Sequence, residues 1–312
     1  MSEAAAPTPT ASATPAEAPR GRVSTELLRN GLFFIEALAI GPLVGGILTM
    51  LRSVDGGPAV TPLLSSTPGI GALAGFVILV AASVVGMLDG RFFGPRSGLA
   101  GAGVILAWAA MYTGRTDELL RVHSGTELMT RFAVEGIVAC IVVVWTVQRI
   151  IRNPLHDGSN TAASLKTLFR GSSMVAALGA AVAGGVVAWL TAFHGAKGQT
   201  LFAAVLGGIA AGAAAAIVSA GADSKDEQRP ADPVLTAALG LMVLAIVGPF
   251  TILILKAPLP SAAFTGELFR RSIAQVHAFD WAAGALIGIP MGLGWAGAHA
   301  QAPLSDRSAV QY

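Results

Sequence analysis

Eight times between residues 31 and 298 the chain runs on with almost no charge: 31–51, 69–88, 98–113, 132–148, 173–193, 200–221, 234–255 and 278–298. A helix crossing the hydrocarbon core of a bilayer needs about 20 such residues. In hydrocarbon every backbone polar group must find a partner within the protein, which leaves only helices and closed β-barrels. Barrel strands alternate in polarity, and no stretch here does. The chain therefore reads as all-α, a polytopic integral membrane helix bundle of about eight transmembrane helices. Composition agrees: 12% of residues are charged and mean hydropathy is +0.67, whereas soluble domains carry about 25% charged residues.

The remaining totals exclude further classes. Twenty Lys+Arg against 18 Asp+Glu is too thin a margin for a nucleic-acid partner. A lone Cys140 allows neither an intramolecular disulfide nor a cysteine-based zinc site. No phosphate-binding loop, HExxH or GxSxG motif occurs, which argues against an enzyme. No histidine pair sits deep in facing helices, so no haem or other cofactor is expected, and no metal.

The three predicted regions are a disordered cytoplasmic tail (1–23, rich in Ala and Pro), a transmembrane domain (24–300) and a short cytoplasmic tail (301–312). With the N-terminus inside, 12 of the 20 lysines and arginines fall in inner segments, which favours cytoplasmic termini and a cell (inner) membrane. Segment 222–233, charged and with two prolines, reads as a linker. Segment 260–277 has helical apolar spacing and reads as an interfacial helix or an extension of the last span.

Helices in lipid associate through small residues that let backbones approach. Residues 202–220 hold nine alanines and three glycines, with Gly208 and Gly212 at GxxxG spacing. Gly284, Gly288 and Gly292 form a stripe on the last span. Such faces serve internal packing, or dock a membrane-protein partner or a second copy. Thr25-Glu26-Leu27 ahead of Glu36 resembles Thr126-Glu127-Leu128 ahead of Glu135. That likeness hints at an inverted three-helix repeat.

Glu36 and Glu135 are the acids inside apolar runs. A carboxylate there costs roughly 2.5–3.5 kcal/mol and needs a partner, a proton or water. Arg29 precedes Glu36 by seven residues and Arg131 precedes Glu135 by four, so each acid has a cation within reach on its own helix. Read functionally, the two acids form a proton or cation relay. His277 and Asp280, at i and i+3 where the last span begins, share a face, the weak outline of a proton-accepting pair.

The segment Gly86-Met87-Leu88-Asp89-Gly90-Arg91-Phe92-Phe93-Gly94-Pro95-Arg96 resembles the signature loop of major facilitator transporters, joining the second and third spans. That resemblance implies a gating role for Asp89. The spacing departs from the pattern, since Asp89 follows Gly86 by three positions rather than four, and the family's usual span number is twelve. Two function classes remain: a small-solute or ion transporter, with Glu36, Glu135, Asp89, Arg29 and Arg131 in coupling or gating roles, and a non-catalytic subunit or assembly factor docking other membrane proteins through its glycine faces.

Overall fold

The computed structural model describes residues 20–152, 165–192, 196–222, 231–255 and 273–301. The tail calculated as disordered from composition lies almost wholly outside the described residues, as do most of the linker and the interfacial segment and the last residues of the chain. The described residues are helical, with no strand among them. The first span is a composite rod: α1 (Arg20–Ile35), a π-helical turn (Glu36–Ile40), α2 (Gly41–Gly45) and a 3-10 turn (Gly46–Met50). It is followed by a 3-10 turn at Pro62–Leu64, then α3 (Pro68–Phe93), α4 (Pro95–Tyr112), α5 (Thr116–Leu119) and α6 (Gly125–Ile151). After α7 (Leu165–Leu168) come α8 (Gly171–Thr191), α9 (Lys197–Ala222), α10 (Pro233–Leu255) and α11 (Ala278–Gln301).

Six of these segments are long and apolar enough to cross a membrane: Thr25–Met50, α3, α6, α8, Lys197–Gly221 and Pro233–Ile254. The count of eight spans is therefore not established by length and composition. The two other helices at expected positions, α4 with 18 residues and α11 with 24, are the interior of the bundle. α4 packs on α2, α3 and α11, while α11 packs on α4, α9 and α10. From Ala274 to Leu286 the chain is buried throughout, Trp281 completely.

Glycine makes this close packing geometrically available. A Cβ placed on Gly208 would strike the backbone of Gly284, and one on Gly288 would lie 2.8 Å from the Ile209 nitrogen. Gly212 and Gly292 likewise meet Ile289 and Ile209 main chain. The glycine stripes of α9 and α11 thus face each other inside one chain. Between α3 and α4 the chain reverses at a single residue, Gly94, whose φ of 93° lies in the region that favours glycine. Pro95 then opens α4 as a preset first helical residue.

The inverted repeat is not established. Glu36 faces α4, whereas Glu135 faces the turn at Pro62–Leu64, so the two similar segments sit in unlike surroundings. α6 links two levels of the bundle: ten residues from its start Glu135 meets Leu63, and near its close Ile150 lies against Gly90. Those two levels carry two separate polar clusters.

Candidate functional site

At the Gly94 end, Glu36 opens the π-helical turn of the first rod. A π-turn inserts one residue into the helical register and releases a carbonyl from the ladder, and such turns are frequent at functional sites. Here Trp108 of α4 donates its indole N–H to the Ala37 carbonyl at 2.7 Å. The indole gets that close because residue 41 is glycine: a Cβ there would lie 3.1 Å from Trp108 Nε1.

Glu36 faces α4, where it is 1% exposed. Asp89, also buried, reaches the same point from α3. A Cβ on Gly101 would lie 2.6 Å from Glu36 Oε2 and 2.6 Å from Asp89 Oδ2, so the missing side chain is what lets the two carboxyl groups meet and interact. Apart from Asp89, neither Glu36 oxygen has a hydrogen-bond partner among the described residues, and no ion pair to either acid occurs among them.

The helical spacing that offered Arg29 to Glu36 is not used. Arg29 sits two turns nearer the helix start and, with Arg96 and Ser97, lines a cavity of about 310 Å³ that ends on Asp89. A neighbouring cavity of about 660 Å³ shares Arg29 and Arg96 and extends to Asp232 and Pro290. Burial pushes the Asp232 carboxyl above the usual carboxylate range, against the pull of the Val234 and Leu235 N–H groups. Asp89 itself lies within α3, four residues before its end. The resemblance to a transporter loop therefore falls on a helix terminus, with Gly94 as the actual turn.

The opposite end holds a second cluster. Lys197, at the start of α9, places Nζ 2.8 Å from His277 Nδ1 and 3.7 Å from Asp280 Oδ2. A lysine ammonium only donates, so Nδ1 accepts and the ring proton resides on Nε2, donated to Thr116 Oγ1 at 2.9 Å. Asp280 Oδ2 also accepts the His277 backbone N–H at 2.9 Å. This is the reach-back of a third helical residue to the cap position, and it explains the i, i+3 spacing seen in sequence. His277 and Asp280 are bridged by Lys197, and no group of three His, Cys, Asp or Glu side chains suited to a metal occurs among the described residues. Asp280 Oδ1 and Trp281 Nε1 are buried without partners among them.

Glu135 lies beside this cluster. Its Oε1 accepts from Thr61 Oγ1 and from the Leu63 N–H, each at 2.7 Å. Arg131 is not its partner: Arg131 bonds Glu127 at 2.7 Å and the Leu63 carbonyl. Glu127 is four residues before Arg131, the same spacing in the other direction, and the exposed helix start leaves that pair nearer water.

Sequence reasoning missed Lys197, read as an outer loop charge, as well as Thr116 and Gly101. A lysine opening a long Ala- and Gly-rich stretch was the available signal for the first. Gly101 carried none, because one glycine among 38 is not marked by its spacing. Comparison with known protein families, with curated proteins and with solved structures finds no match to this chain.

Proposed function

We propose that the protein is a multi-pass transporter of a small solute or ion, coupled to protons or cations through the Glu36–Asp89 pair. In this reading α4 and α11 count as spans, giving eight, with both termini on the cytoplasmic side of a cell (inner) membrane. The observation that carries it is the meeting of two buried acids over Gly101, without a cation from the described protein, at the end of a cavity lined by Arg29 and Arg96.

Two carboxylates in contact repel each other unless a positive charge lies between or upon them. A proton or a small cation supplies it, and one that arrives through the cavity can also leave through it. Buried ionisable groups of this kind mark ion pathways and proton relays in membrane proteins. Arg29 and Arg96 at the mouth draw anions, which suits a solute or counter-ion of negative charge moving with the proton.

The reading is tested by a pH jump on proteoliposomes adsorbed to a solid-supported membrane, which needs no known substrate. Wild-type protein should give a transient charge displacement as the pair takes up or releases a proton. The Glu36→Gln/Asp89→Asn double variant should lose at least nine-tenths of it at unchanged folded yield. A displacement of wild-type size in the double variant would remove the pair from any coupling role.

The alternative, a docking subunit, drew on exposed glycine faces. Gly208, Gly212, Gly284, Gly288 and Gly292 are used between α9 and α11, so these five glycines serve packing within the chain.

A further inference from the structure

Between α3 and α6, at the level of Glu135, lies a cleft of about 350 Å³. Its floor is Leu79 and Phe279, both buried, and its rim is Phe76, Val134 and Val138, exposed by 51%, 44% and 40%. Exposed apolar side chains at mid-helix face lipid in a membrane protein, so this mouth opens sideways into hydrocarbon rather than to water. Glu135 is ten residues into α6, about 15 Å from its start at 1.5 Å per residue. It is the one charged side chain lining the cleft.

That carboxyl group is fixed through one oxygen only. Oε1 is tied by Thr61 and Leu63, while Oε2 has no hydrogen bond among the described residues, and the side chain is only half-buried. The two nearby cations make their bonds elsewhere, Arg131 with Glu127 and Lys197 with His277 and Asp280, and reach this acid only through their field. A lipid acyl chain would fill the volume and leave Oε2 without a partner. An anion would be repelled. An organic cation with an apolar body satisfies both the walls and the acid, and Phe76 and Phe279 add rings to which cations are attracted.

We propose that this cleft binds a lipophilic cation, an ammonium or phosphonium with aromatic or alkyl substituents, entering from the bilayer and pairing with Glu135. The volume lies at the small end of the range for small-molecule sites, about 300–1,000 Å³. The site goes beyond the coupling reading and does not depend on it, since Glu36 and Asp89 lie at the other end of the bundle.

The test is equilibrium binding of radiolabelled tetraphenylphosphonium to the full chain in lipid nanodiscs. One saturable site per chain is expected, weakened at least tenfold by Glu135→Gln. Tetraphenylborate, of the same shape and opposite charge, should not compete. Val138→Trp, a change at the lipid-exposed rim that leaves the carboxylate and the packed interior alone, should block binding at an unchanged melting temperature. The Glu36→Gln/Asp89→Asn variant should bind as wild type does, so loss of the pH-jump signal and loss of this site are separately read. No saturable binding, equal competition by the borate, or wild-type affinity in either Glu135→Gln or Val138→Trp would overturn the assignment.

Discussion

Replacing Lys197 by Met should destabilise the folded protein by about 3–5 kcal/mol, the usual effect of stranding one member of a buried ion pair. The lysine side chain is 9% exposed and that of Asp280 not at all. With the ammonium gone, His277 Nδ1 loses its donor and the buried Asp280 carboxylate keeps the His277 N–H and the Thr200 hydroxyl but no cation. The loss should reverse in large part in Lys197→Met/Asp280→Asn, because asparagine keeps an oxygen for the backbone N–H while removing the stranded charge. Steric-trapping measurements of unfolding free energy in bicelles would read both. A single variant as stable as wild type, or a double variant no better than the single one, would show that the pair does not hold α9 to the start of α11.

Gly288→Leu should abolish recovery of folded protein, and Gly288→Ala should lower stability by about 1–3 kcal/mol, the scale of overpacking in a close-packed interior. The atoms a side chain would meet are main chain: the Val205 carbonyl, the Ile209 nitrogen at 2.8 Å and Gly208 carbon at 2.9 Å. No rotamer change can relieve them, so α9 and α11 would have to move apart, and Lys197 would be drawn from Asp280 with them. Gly294 supplies the control. It is on the same helix, but a Cβ there has nothing within 4 Å, so Gly294→Leu should fall within about 0.5 kcal/mol of wild type. Monodisperse yield and melting temperature in detergent would separate the three variants. Equal tolerance of leucine at 288 and 294 would contradict the close helix contact.

The fate of the two arginines shows where local reasoning stops. Arg131 and Glu135 have ideal i, i+4 spacing, and Arg29 and Glu36 share a face two turns apart. Neither pair forms among the described residues. Arg131 instead joins Glu127 and Leu63, and Glu135 takes its hydrogen bonds from Thr61 and Leu63, more than 70 positions away. Glu36 meets Asp89, brought by a different helix, because Gly101 leaves room for both carboxyl groups. The i, i+4 rule states which side chains share a helix face. It does not state which neighbour lies across from that face.

What the sequence determined by itself is the helical state and the presence of helices long and apolar enough to cross a membrane, because apolar run length and the scarcity of charge are local properties. It also determined that Glu36 and Glu135 are costly where they stand. The tertiary structure alone decided that α9 and α11 bury each other's glycines and that Lys197 bridges His277 and Asp280. It alone brought Glu36 and Asp89 together over one missing side chain, and left Glu135 at the wall of an apolar cleft. Each of these joins residues from separate helices, and partner choice between helices is set by shape matched across the whole bundle, which no spacing within one helix records.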